Sequence, residues 1–373
     1  MNNFAPWLRR ALGLALLALA MAQPGCGGGS TTLAAAPGTG GTGFTSSGTI
    51  TGFGSVRVNG VFFDDSQASV SIDGAAQTAG ALGLGMQVMV QGQLGAVAGT
   101  GTATSFDAWS QAQGRITSVG ILGFQVAGMT VSVDSSTVYL GVASAADLQA
   151  GMAVRVWGLA SDAGLTRWQA ARVELLGAAP AVLVTSGVVA TGQLNGLTLT
   201  GSPTPPTGQS VRVAGTLVGS TLTVLSVRQL SAVPGANSNR DEEMEGVVTQ
   251  MSTSTSFLLG NQPVDASLAT VSGGSVSAGA KAEVTGRWVN GVFQASKVEL
   301  ESELDLLEVE IRGDISAFVS LADFTVRGQR CDASALTQVG GGKLSDLKSG
   351  VRVQLHGVKR GDMVRVTEIE LGS

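Results

Sequence analysis

The 373-residue chain reads as all-β, a tandem array of small antiparallel barrels, and three observations carry that reading. Two glycines seven positions apart, with alternating residues between them, recur at Gly85/Gly92, Gly151/Gly158, Gly208/Gly215, Gly279/Gly286 and Gly350/Gly357. Each pair follows a Gly-led β-branched run and a hairpin signal, and precedes a second alternating strand such as Lys297-Val298-Glu299-Leu300. Composition agrees: Gly is 54 of 373, with aromatics at 5% and charged residues at 13%. That balance excludes a coiled coil, a collagen and a disordered acidic chain.

The elements follow in chain order. Arg9 and Arg10 precede the apolar run Ala11–Ala22, which falls short of the ~20 residues a transmembrane helix needs and reads as an export signal over residues 1–25. Cys26, followed by Gly27-Gly28-Gly29-Ser30, reads as a lipidation site at a new N-terminus. Cleavage after Ala22, behind the small-x-small pattern Ala20-Met21-Ala22, is the alternative. Residues 26–47 then form a Gly/Thr-rich tether.

Beyond the tether the first glycines of the pairs lie 66, 57, 71 and 71 residues apart, the spacing of small domains rather than solenoid turns. The expected repeats are 48–113, 114–180, a short divergent third over 181–231, then 246–302 and 303–373, with an acidic linker over 232–245. Asn59-Gly60 and Asn195-Gly196 mark first hairpins of the type I′ kind; Ala127-Gly128, Gly260-Asn261 and Arg327-Gly328 hold the same place. A short helical turn is expected before the Gly pair, capped by Asp147 or Ser345. Pro203, Pro205 and Pro206 mark the third repeat for distortion. About five strands per repeat close best as an OB-like barrel, which leaves no edge; a small β-sandwich is the second choice. Short connections imply a rod of packed neighbours, hinged at 232–240.

The run Gly52-Phe53-Gly54-Ser55-Val56-Arg57-Val58-Asn59-Gly60-Val61-Phe62-Phe63-Asp64, then Asp73-Gly74 and the Gly85–Gly92 strand, resembles the DUF5666 family. The resemblance extends over most of residues 48–371 and is strongest in the first repeat. It implies an exported, tandem-repeat envelope protein of the kind found in proteobacteria, and it supplies no catalytic residues.

Chemistry is sparse. One His and two Cys argue against a protein-built zinc site, a Ser-His-Asp triad and a disulfide framework, and no cofactor is expected. His356 and Cys331 read as structural. Gly38-Thr39-Gly40-Gly41-Thr42-Gly43 spells G-x-G-x-x-G but lies in the tether, with no strand before it and no helix after it. Removing Arg9 and Arg10 with the signal leaves 20 basic residues against 27 acidic ones, a formal charge of −7. That argues against nucleic acid as a partner. Asp64, Asp65, Asp134, Asp265 and Asp332 recur after the first hairpin and read as turn residues satisfying backbone N–H groups.

Among Trp109, Trp157, Trp168 and Trp288, the candidate ligand contacts are Trp157 and Trp288, beside the second glycine of their pairs. The resulting expectation is a non-enzymatic, lipid-anchored envelope protein. It displays barrels that bind protein or polysaccharide or act as spacers, and its membrane contact is the N-terminal anchor. Gly27 after the Cys, in place of an Asp, points to the outer membrane; a soluble periplasmic or secreted form is the alternative. A carboxylate-based hydrolase using Asp64-Asp65, or an OB-type oligonucleotide binder, are the competing classes.

Overall fold

A computed structural model describes residues 43–230, 237–238, 240–302 and 308–372. The export signal, Cys26, the tether up to residue 42 and most of the expected hinge lie outside the described residues.

Module 1 sets the pattern. Its lead strand, Phe44–Phe53, pairs antiparallel with Val56–Val58 and with the Gly-pair strand Gln87–Leu94. Val56–Val58 forms a hairpin with Val61–Asp64, which runs parallel to the closing strand Thr100–Ala108. That closing strand pairs antiparallel with Gln87–Leu94 and completes the circuit. In strand order this is 1-2-3-5-4-1, the closed Greek-key order of an OB barrel. The OB-like expectation therefore holds, and the sandwich alternative does not.

The same circuit runs in module 2 (Ala112–Gly120 to Arg167–Leu175), module 4 (Glu242–Met251 to Val292–Leu300) and module 5 (Glu308–Ser320 to Met363–Leu371). In module 3, Leu183–Val188 to Thr221–Gln229, closure narrows to the isolated bridge Ala190–Gln193; the repeat is distorted, but away from Pro203, Pro205 and Pro206, which lie between Leu197–Gly201 and Ser210–Val218.

Each of the paired glycines answers a different constraint. The first sits at φ between +80° and +91° in every module, where a β-carbon is strained. The second sits where the Gly-pair strand bulges over the closing strand, and the register shifts at Gly92, Gly158, Gly215, Gly286 and Gly357. A β-carbon there would stand 2.1–2.6 Å from a carbonyl oxygen of the closing strand. The bulge bends the strand so that a barrel this small can close. First hairpins obey the same logic: Asn59, Ala127, Asn195 and Arg327 all hold φ near +50° with a glycine next, so even the chemically weak signals are tight turns.

Several sequence expectations need correction. The tether ends earlier than residue 47, because Phe44–Ser47 already pair with the Gly-pair strand. The acidic linker also ends early, because Glu242–Glu245 begin the lead strand of module 4. Their charges are tolerated there because Ser46 Oγ donates to Glu243 (3.0 Å), and Thr49 Oγ1 to Glu245 (2.8 Å). The helical turns are single 3-10 turns. Ser144 caps Ala145–Asp147, with Asp147 accepting in return from the Ser144 N–H at 2.9 Å. In Leu344–Asp346 the Lys343 N–H donates to Asp346, so Ser345 is not the cap.

The rod is also wrong. The lead strand of module 1 pairs in parallel with that of module 4 (Ser46 beside Glu243) and that of module 5 (Gly52 beside Glu310). A β-carbon on Gly52 would stand 2.6 Å from the Glu310 carbonyl oxygen, so only glycine admits module 5 this closely. Modules 1 and 5 share one apolar core, modules 2 and 3 share a second, and module 4 keeps its own. An isolated unit this small buries only ~60% of its unfolded surface, and merging cores offsets that weakness.

The two glycine roles predict different costs. Gly286→Ala forces a β-carbon against a backbone oxygen, which should cost about 1–3 kcal/mol and disrupt the module 4 bulge. Gly279→Ala, at φ +88° with open space around it, should cost only the left-handed penalty of about 1–2 kcal/mol and leave the bulge intact. Urea unfolding, with hydrogen exchange across 281–300, separates the two; retained exchange protection at the bulge in Gly286→Ala would refute the closure argument.

Candidate functional site

Modules 1, 3 and 4 meet around a cleft of about 460 Å³, within the ~300–1,000 Å³ of ordinary ligand pockets. Module 1 contributes Gln87, Asp107 and Trp109; module 3 contributes Arg228 and Gln229; module 4 contributes Glu242, Gln262 and Trp288. A side pocket of about 170 Å³ shares Gln87, Gln111 and Gln262 with it and is walled by Trp168 of module 2.

The polar groups of the cleft are held in place. Gln87 Nε2 donates to Thr49 Oγ1 at 2.6 Å, which fixes the side-chain amide at the cleft wall. Gln262 Nε2 donates to the Leu230 carbonyl and to Asn261 Oδ1, both at 3.1 Å. Asp107 accepts from Ser71 Oγ and lies 3.9 Å from Arg228. The Arg228 guanidinium stacks on the Trp109 ring at 4.8 Å, and Arg212 stacks on the same ring at 5.0 Å. Trp109 is therefore a braced wall of the cleft rather than a free platform. Trp288 is braced as well: its backbone N–H donates to Ser238 Oγ, and its ring meets Phe293 edge-on at 5.2 Å.

Two charged clusters hold the cleft walls together. At the junction of modules 1, 2 and 3, Asp73 accepts from Arg212 Nη2 (2.8 Å) and from the Ser110 N–H (2.8 Å), with Arg155 at 3.6 Å. Arg212 Nε donates to the Ser110 carbonyl. Glu174 takes Arg172 at 2.6 Å and Arg155 at 3.6 Å, and Arg172 Nη1 donates across to the Leu84 carbonyl of module 1. Burial pulls the Arg212 pKa down, and Asp73 opposes the shift.

Along the module 1–4 seam stand Glu243, Glu245, Glu283 and Glu301. Glu245 is engaged by Thr49 and Lys281, and Lys281 also meets Glu301 at 3.0 Å. Burial pushes Glu243 up to about 7. Burial, reinforced by Glu301, Glu245 and Glu243, pushes Glu283 up to about 9.

The sequence-chosen ligand contacts fare differently. Trp157 has no exposed surface. It points out of its own barrel and packs into the shared core of modules 1 and 5, so the outward aromatic expected to meet a ligand meets another module instead. Trp288 is also buried, at 8% exposure, yet it lines the cleft. Cys26 lies outside the described residues. The recurrent aspartates are turn residues as expected: Asp64, Asp134, Asp265 and Asp332 each accept from the N–H two residues on, at 2.7–3.0 Å. Asp65 faces Arg327 at 3.8 Å, so Asp64 and Asp65 serve different partners. Cys331 is a buried apolar side chain, its thiol pushed up to about 12 by burial.

Sequence reasoning missed Gln87, Asp107, Arg228 and Gln262 as site residues. No local motif marks them, because each belongs to a different strand end. Among the described residues no group of three or more His, Cys, Asp or Glu is arranged to hold a metal ion.

Fold and site together define a multi-barrel protein with a composite cleft between OB-like modules. Residues 113–174, 245–299 and 312–370 match the family model DUF5666, a domain of unknown function, and each matched segment coincides with one closed barrel. The chain thus carries DUF5666 domains as modules 2, 4 and 5. Module 1, where the resemblance looked strongest, lies outside the matched segments although its strand circuit is the same; its lead strand is adapted to dock two other barrels. No curated protein matches the chain.

Two predictions follow from these clusters. Asp73→Ala strips the partner from a buried guanidinium and should cost about 3–5 kcal/mol, with hydrogen exchange rising at Ser110 and Gln111. Adding Arg212→Met should recover part of that loss, and fully additive costs would show that the two residues do not act together. Glu283 and Glu243 hold protons more tightly folded than unfolded, so their contribution to stability is lost as pH rises from about 4.5 towards about 9. Glu283→Gln should flatten that decline in thermal unfolding measured across the window; an unchanged slope would remove Glu283 as its source.

Proposed function

We propose that this protein is a non-enzymatic, lipid-anchored envelope protein whose packed barrels present the inter-module cleft to a protein or glycan ligand. The cleft carries the reading: three modules contribute anchored polar side chains and aromatic walls to one concavity, and ligand sites favour such domain junctions. Several features support a binding role over catalysis. Glu245, the cleft carboxylate nearest other acids, is already engaged by Thr49 and Lys281. Asp64 and Asp65, the pair a hydrolase would use, have separate structural partners. Nucleic acid is disfavoured by Asp107, Glu242 and Glu245, which outnumber Arg228 at the cleft.

The anchor rests on Arg9, Arg10, the apolar run and Cys26 followed by a Gly-rich tether, with Gly27 pointing to the outer membrane. Intact mass of the mature protein from membranes tests it. A species beginning at residue 26 with added acyl chains, lost in Cys26→Ser, is the expected outcome. An unmodified N-terminus at Gln23 in both would make the protein a soluble export.

A further inference from the structure

The chemistry of the cleft is specific enough to name a ligand class. We propose that it takes an oligosaccharide of neutral or amino sugars, an assignment that rests on the cleft being the binding site. A pyranose ring offers a dense set of hydroxyls that both donate and accept, with small apolar patches between them. Side-chain amides also both donate and accept, and are the natural complement. Gln87, Gln229 and Gln262 come to the cleft from three different modules, and Gln111, held by the Gly158 N–H, lines both the cleft and the side pocket.

Pre-positioning matters because ordering long side chains on binding costs affinity. Gln87 and Gln262 are already fixed by hydrogen bonds to Thr49 and Leu230, and Asp107 by Ser71. Trp288 and the braced Trp109 supply rigid apolar walls, and Met89 and Met244 adaptable ones.

Charge sets the selectivity. Asp107 pairs with Arg228, and the buried Glu245 with Lys281, so Glu242 leaves the cleft lining with an acidic excess. Uronic acids and phosphorylated sugars are repelled, whereas an uncharged or ammonium-bearing sugar is not. Peptide capture by strand addition has little to build on, because the lead, Gly-pair and closing strands around the cleft already pair on both sides in modules 1 and 4.

The test titrates the mature full-length protein with chitotriose, its deacetylated trimer, trigalacturonate and a short-peptide mixture. The readouts are tryptophan fluorescence and the indole N–H resonances of Trp109 and Trp288. Saturable binding of chitotriose or the deacetylated trimer is expected, with trigalacturonate weaker by about tenfold or more. Gln229→Ala and Gln262→Ala should each weaken the bound trimer by about tenfold. Gln229 is exposed, so its variant should melt like the wild type and separate recognition from folding. Sugar binding unchanged in both variants would place the ligand elsewhere and overturn the proposal. Peptides shifting both indoles while no sugar does would overturn the ligand class and leave the cleft as a binding site. Silence from every ligand would overturn both.

Discussion

One carboxylate joins three barrels. Asp73 sits at a tight turn of module 1, φ +52°, followed by Gly74 at φ +82°. From there it receives Arg212 of module 3, Arg155 of module 2 and the backbone of the 1–2 connector at Ser110. A buried guanidinium without a partner is expensive, so the modules are held to the arrangement that satisfies it. Arg212 and Arg228 then brace Trp109, and Trp109 walls the cleft. Loss of this one contact would free Arg212 and so loosen the Trp109 wall of the cleft.

The lead strand of module 1 is the second organiser. It closes its own barrel and, at its two ends, offers backbone to modules 4 and 5 in parallel register. A closed barrel has no spare edge, so such pairing needs a strand long enough to run past its own ladder, and small residues where the chains touch. Gly52 and the Ser46-Ser47-Gly48 stretch meet that need. The acidic side chains of module 4 come with the docking, and Ser46, Thr49 and Lys281 take up their hydrogen bonds and charge. Burial raises both Glu243 and Glu283, to about 7 and about 9, so Glu283 keeps its proton at neutral pH and eases the crowding of acids along the seam.

Sharing cores explains why the tryptophans mislead. On an isolated barrel an outward tryptophan at position 157 would be exposed to solvent and read as a contact residue. In the assembly the same ring fills the boundary between modules and has no solvent contact. Trp109 follows the opposite course: the two arginines that stack on it come from module 3, more than a hundred residues away, and keep it at the cleft.

Local periodicity alone determined a great deal here. Alternation and the glycine pairs specify strands, the Asn-Gly dipeptides specify hairpins, and strand count with a closure requirement specifies an OB-like barrel. All of these are set by steric constraints within a few residues or within one ladder, so they are legible one repeat at a time. The recurrent aspartates were legible for the same reason, since each bonds two residues along the chain. Which barrel touches which, and so where the cleft opens, was decided only in three dimensions. Asp73 with Arg212 and Thr49 with Glu245 are pairings across 139 and 196 residues, and Trp157 enters the core of other modules; none of them carries a spacing signature. Their energies depend on burial and on the geometry of partners that meet only after the barrels have closed.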